Sequence, residues 1–209
     1  MNMNLTTTPV SGFGPGTIVM TTDGEMPVEW LAPGDKMITR DHGAQPILWM
    51  GRMRGTTPEG VPLPDPVVLY PGDGPVGDSP IERLRLAPGH RAMLRVPDVQ
   101  LHHGTDEALA RVSDLSRRHS KRPDPNMGGL VYHHILMEQH ELVNAGGLWV
   151  ETVDAEMALR LDVPDWVRKK SRIFDPNAQT ARMCLTRDEA QMIRQTAPVD
   201  MSLLDLLVA

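Results

Sequence analysis

Apolar residues in this chain fall in short runs punctuated by turn residues rather than in long helical stripes. Early in the chain the runs Thr17–Thr22, Lys36–Arg40 and Pro46–Met53 are separated by Asp23-Gly24, Pro33-Gly34-Asp35 and Asp41-His42-Gly43. Glycine in such turns takes φ > 0 without steric cost and proline presets the first bend, so the pattern predicts a tight β-meander. Pro46–Met53 places Ile47, Trp49 and Gly51 on one face and Leu48 and Met50 on the other, which predicts a strand buried on both sides. Pro27–Leu31 reads as a brief helical or extended corner. Residues 54–80 are rich in proline and glycine and predict a surface excursion holding one strand, Pro66–Tyr70. Strands at Ile81–Leu86 and Arg91–Val96 then flank the turn Ala87-Pro88-Gly89-His90.

The second half is less regular. Asp106–Leu115 fits an amphipathic helix, with Leu109, Val112 and Leu115 near helical spacing, or a loop and strand. Leu130–Met137 and His140–Ala145 read as adjacent strands, and Gly146-Gly147 turns the chain into Leu148–Val153. Thr186-Arg187-Asp188-Glu189 is a capping-box signature that starts a helix running to about Gln195. Met201–Val208 suits one more short apolar helix.

At 209 residues the chain suits one compact domain, or one with a helical appendage. Aromatics make up only 4%, so the 14 methionines are expected to fill core gaps in their place. Nineteen prolines and 18 glycines argue against a helical bundle. A net charge of −6 gives no general attraction to nucleic acid or to anionic membranes. The basic cluster Arg117–Arg122 is isolated and has no interleaved aromatics, so it is expected as an exposed face. No run is long enough to span a bilayer, and the opening residues lack the basic and apolar regions of a signal peptide. The single Cys184 leaves no partner for an intramolecular disulfide. These features lead to the expectation of a cytoplasmic protein, or one exported without a cleavable signal.

The same early residues carry a family resemblance. A Phe-x-Pro-Gly-Thr opening at Phe13–Thr17, the Asp-Gly-Glu turn, the Val-Glu-x-Leu segment, the Pro-Gly-Asp turn and the Trp-x-Gly-Arg strand end are together similar to the first half of a Hint (Hedgehog/intein) module in its stand-alone bacterial form. LVYHHILMEQHELVNAGGLWVET resembles the closing strands of that module, and Ala181–Leu185 resembles the tail of the same bacterial family. The resemblance implies an all-β horseshoe of interleaved hairpins over residues 12–153; residues 1–11, polar and threonine-rich with nothing to bury, read as a disordered arm, and 154–209 as a helical extension.

Hint modules cut the peptide bond at their own N-terminus. The resemblance implies a cysteine or serine that attacks its preceding carbonyl, a histidine from a Thr-x-x-His turn that strains and protonates the bond, and in inteins a closing His-Asn pair. In this chain the nucleophile position falls on Gly12, which has no side chain. Ser11 could substitute only with a register shift of one. Ala87 stands in place of the threonine, His90 matches the histidine, and Val150-Glu151 replaces the closing pair. The candidate catalytic residues are therefore His90 and Ser11, and Asp23, Asp35 and His140 read as turn or framework residues.

Other constellations are weaker. Gly12–Thr17 lacks the Gly-Lys-Ser/Thr of a phosphate loop, so no cofactor is expected. His133, His134, Glu138 and His140 could be imagined around zinc, but strand alternation sends His133 and His134 to opposite faces, so no metal is expected either. Three readings follow. The first is a Hint-type module that has lost self-cleavage and binds an unknown protein partner or serves structurally. The second is a residual autoprotease using Ser11 and His90, and the third is a metal-dependent hydrolase on an unrelated β-scaffold.

Overall fold

The structure, a computed structural model, describes residues 9–69, 84–116, 130–198 and 206–207. The first half supplies β1 (Ile18–Thr21), β2 (Gly24–Pro27), β3 (Lys36–Thr39), β4 (Gly43–Pro46), β5 (Trp49–Arg54) and β6 (Val67–Leu69). A single 3-10 turn, Val28–Trp30, forms the corner before the Pro-Gly-Asp turn. After β7 (Leu84–Leu86) and β8 (Arg91–Leu94) come α1 (Pro97–His103), β9 (Ala108–Arg111) and α2 (Val112–Leu115). The closing strands are β10 (Val131–Leu136), β11 (Leu142–Ala145) and β12 (Leu148–Glu151). The extension holds α3 (Ala155–Ala158), α4 (Asp165–Lys170), β13 (Met183–Cys184) and α5 (Arg187–Thr196).

Nine strands form one sheet in the order β13-β9-β8-β12-β11-β1-β3-β4, with β2 joined to β1, and β10-β5 and β6-β7 form two separate pairs. Chain neighbours supply the β1–β2, β3–β4 and β11–β12 hairpins, which the Asp-Gly, Asp-His-Gly and Gly-Gly turns close. The body is predominantly β with short helices. The interleaving is visible where β11, near the end of the body, inserts beside β1 and β3 from its beginning.

The sequence reading needs correction at four places. Pro46–Met53 is not one strand. Proline 46 ends β4, and the chain crosses between layers: Ile47 N–H donates to Asp35 O in the large sheet, and Leu48 N–H donates to Leu136 O on β10, both at 2.9 Å. Within β5, Arg52 is exposed while Met53 is buried, so the strand is buried on one face only. The strand from Arg91 stops at Leu94, because Pro97 opens α1 in the first-turn position that proline favours. Asp106–Leu115 is both alternatives in turn, a strand followed by a single helical turn. The basic cluster at 117–122 lies outside the described residues.

Two large buried clusters and a small third one of Met93, Leu109 and Leu142 organise the interior among the described residues. The larger collects Val19, Met37, Leu94, Val143 and Val150 from the large sheet with Leu86 of β7 and Phe13, and it also takes Leu185, Ala190 and Ile193 from the extension. The second joins Val10, Leu48, Tyr132 and Leu136 to Val163, Val167 and Ile173. Each fully buried side chain of this size contributes about 2–3 kcal/mol, so the extension shares the core with the body. Beyond the helices, it adds β13 in parallel register to β9, Met183 opposite Ala108. The capping box is formed as the sequence signature requires: Thr186 Oγ1 accepts from Glu189 N, and the Glu189 carboxylate accepts from Thr186 N at 2.7 Å. Leu206 and Leu207 are helical and buried.

Candidate functional site

The segment Pro9–Phe13 is laid between the 87–90 turn and β10 by main-chain hydrogen bonds. Gly89 N–H donates to Val10 O at 2.8 Å, Ala87 N–H to Gly12 O at 2.9 Å, and Phe13 exchanges two bonds with His133 at 2.8 and 2.9 Å. Side chains anchor it as well: Val10 and Phe13 are buried, one in each cluster. Gly89 has to be glycine for this seating, because a Cβ there would lie 2.6–2.7 Å from Pro9. Pro88-Gly89 therefore does more than turn the chain; it leaves a notch that holds the N-terminal segment.

This arrangement brings the predicted residues together. Gly12 N–H donates to His90 Nδ1 at 3.1 Å, and Ser11 Oγ lies 3.0 Å from the same nitrogen. On the other end of the same peptide group, His134 Nε2 lies 2.9 Å from Ser11 O. A backbone N–H can only donate, so Nδ1 of His90 is the unprotonated nitrogen and the ring carries its proton on Nε2; the carbonyl fixes Nε2–H on His134 by the same logic. The Ser11–Gly12 peptide is thus gripped at its nitrogen by one imidazole and at its oxygen by another.

Burial decides the charge of both rings. Desolvation pushes His90 down to about 4 despite the opposing pull of the Glu151 carboxylate. It pushes His134 to about 4 as well, against the bond to the Ser11 carbonyl. Both are neutral at pH 7. A neutral His90 with a lone pair on Nδ1 is a base facing the Ser11 hydroxyl, and a neutral His134 is a donor to the Ser11 carbonyl.

Glu151, on the last strand of the body, sits behind this pair. Its Oε1 accepts from Arg91 N at 2.8 Å and lies 3.5 Å from Ser11 Oγ; its Oε2 accepts from Arg91 Nη1 at 2.9 Å. Arg91 also binds Asp154 Oδ2 at 2.7 Å, so one guanidinium serves two buried carboxylates. Burial pushes Glu151 up, yet His140 and Arg91 more than offset it and hold the carboxyl at about 2. His140 Nε2 lies 3.4 Å from Glu151 Oε2, and its approach to the carboxylate is the first of the influences that hold Glu151 down. A water-sized cleft of about 20 Å³ opens beside Ser11, bordered by Gly89, Arg91, Arg111 and Glu156.

Gly12 occupies the position where the resemblance places a nucleophile. Its φ is +136°, and a Cβ added there would meet Tyr132 Cβ at 3.0 Å, His134 Nε2 at 3.1 Å and His133 O at 3.2 Å. The space a nucleophilic side chain would need is filled by β10. Ala87, at the threonine position, offers no hydroxyl; its N–H donates to Gly12 O and its carbonyl accepts from His90 N–H, both at 2.9 Å.

Sequence reasoning missed His134 and gave Glu151 no role beyond replacing the closing pair. The His133-His134 doublet was considered only as metal ligands. Strand alternation does send one ring to Ser11 and the other away from it, and that alternation was the signal available. His140 was read as framework; it borders Glu151. Among the described residues no group of three or more His, Cys, Asp or Glu side chains is placed to hold a metal ion, and no helix among them is long and apolar enough to cross a membrane.

Comparison with known proteins yields a family match. A family model described as Hint domain matches residues 11–156, which is most of the chain and ends just past the buried Asp154. A search of curated proteins finds no match.

Proposed function

The chain belongs to the Hint domain family, and so to the superfamily whose members process themselves; from that premise we propose that this member does not cleave at the family position and acts as a binding or structural module. One observation carries the reading. The Ser11–Gly12 peptide is held by His90 and His134 as a scissile bond would be, yet Gly12 has no nucleophile and its side-chain space is closed. Without an acyl shift, direct attack by water forgoes the covalent step that splits one high barrier into two lower ones.

A second reading is favoured by a separate contact, the 3.0 Å approach of Ser11 Oγ to His90 Nδ1. In it the scissile bond moves back by one residue. Ser11 Oγ attacks the Val10 carbonyl carbon and His90 takes the hydroxyl proton. The oxyanion forms where Gly89 N–H already points, and the proton passes to the departing Ser11 nitrogen, leaving a Val10 ester on Ser11.

Intact mass of the full-length chain after prolonged incubation with hydroxylamine separates the two. The first reading expects one species of full mass. A fragment beginning at Ser11, lost in Ser11→Ala and His90→Ala, establishes the second, and a fragment beginning at Gly12 overturns the first outright.

A further inference from the structure

The residues matched by the family end at 156, yet the ring that borders Glu151 is bound from beyond that limit. His140 Nδ1 accepts the backbone N–H of Ala181 at 2.9 Å. An N–H donor leaves Nδ1 no proton, so the ring carries a proton on Nε2, the nitrogen 3.4 Å from Glu151 Oε2. If Ala181 withdrew, the ring could take the other tautomer and present a lone pair to the carboxylate.

Ala181 is held in place by its neighbour. The Arg182 guanidinium donates to both Asp41 oxygens at 2.7 and 2.9 Å and to Glu107 Oε2 at 2.7 Å, a fork-shaped clamp onto the loop after β3 and the start of β9. The next residues form β13 against β9. On the other side of Ala181 the chain arches over a cavity of about 350 Å³ bordered by His140, Asp154, Asp175, Asn177 and Thr180. Ala181 therefore reaches His140 from the Arg182 clamp and β13, with open space on its other flank.

We propose that His140 is a positioning residue for Glu151, the carboxylate behind the Ser11–His90 pair, and that its orientation is set from the C-terminal extension by the backbone N–H of Ala181. The extension then belongs to the site. It fixes the donor that faces Glu151, and Glu151 faces the Ser11 hydroxyl and holds Arg91 at the start of β8, next to His90. The chemical consequence rests on the Ser11 reading above, whereas the orientation of the ring does not.

Long-range 1H–15N spectra of the full-length chain labelled with 15N-histidine test it. The wild-type His140 signals should show Nε2 protonated and Nδ1 unprotonated. Ala181→Pro removes the N–H and Arg182→Ala releases the clamp; each should convert those signals to averaged tautomers, while Ala181→Gly, which keeps the N–H, should leave them unchanged. A wild-type ring protonated on Nδ1, or a pattern untouched by Ala181→Pro, overturns the proposal. If both variants fail to fold, the wild-type pattern alone decides. Should hydroxylamine release the Ser11 fragment, His140→Ala is expected to slow that release at least tenfold and Ala181→Gly to leave it unchanged; equal rates in wild type and His140→Ala would refute the positioning role. Absence of any fragment from the wild type sinks the serine reading alone and leaves the spectra to judge how the ring is set.

Discussion

Restoring the family nucleophile is the sharpest perturbation of this site, and Gly12→Cys is expected not to restore cleavage. Two costs arise at once. A side chain at φ +136° carries backbone strain of about 1–3 kcal/mol, since L residues rarely adopt that region. The new Cβ also meets Tyr132, His134 and the His133 carbonyl at 3.0–3.2 Å, and overpacking against a buried strand adds roughly 1–3 kcal/mol. Together they lower stability by roughly 2–6 kcal/mol, or about 4–24 °C in Tm for a chain of this size. Gly24→Ala separates the two contributions, because Gly24 has φ +104° with nothing within 4 Å of its added Cβ. It should show only the strain, and Gly12→Ala should exceed it by the packing cost. Thermal unfolding gives the stabilities and intact mass with added thiol gives the cleavage. A Gly12→Cys protein that melts with the wild type and releases a fragment beginning at residue 12 would refute the argument that β10 has closed the nucleophile's space.

Three further outcomes are expected. Stability should fall as pH drops from about 6.5 to 4, because His90 and His134 are held neutral in the fold at about 4 while the unfolded chain takes up protons from 6.5; each contributes roughly 3 kcal/mol above that window, measured by urea unfolding across pH. Glu151, depressed to about 2, adds stability present above 4.5 that is lost only below it, so Glu151→Gln should remove the later part of the acid transition and cost about 3–5 kcal/mol at pH 7 by leaving Arg91 underpaired, unless acid titration shows the wild-type profile unchanged. Thr186→Ala breaks the capping box and should lower stability by about 1 kcal/mol, with Thr186→Ser nearly neutral; a larger loss would show that α5 is held by its cap rather than by Ala190 and Ile193 in the core.

Much of the fold was legible because its turns are written in glycine, proline and aspartate. The Asp23-Gly24, Asp41-His42-Gly43 and Gly146-Gly147 hairpins appear where those residues stand. The crossing at Ile47-Leu48 was not legible, since an apolar pair that satisfies one sheet with one N–H and a second with the next reads locally as continuous strand. His90 was legible through the family resemblance, as the histidine that closes the Ala87-Pro88-Gly89-His90 turn. His134 and Glu151 were not, because each acts across more than 100 residues, on a serine whose position only the folded β10 and β12 define. The gap at Gly12 was visible as a missing side chain, whereas the filling of that gap by Tyr132 and His134 required the packing.

Two neutral histidines hold the two ends of a peptide bond whose following residue, Gly12, carries no nucleophile. Histidine titration by long-range 1H–15N NMR on the full-length chain tests it directly. His90 and His134 should both be neutral at pH 7, each protonated on Nε2, and should take up a second proton only near pH 4. A His90 ring protonated on Nδ1, or either ring charged at pH 6, would show that the Ser11–Gly12 peptide is not held as described and would contradict the account.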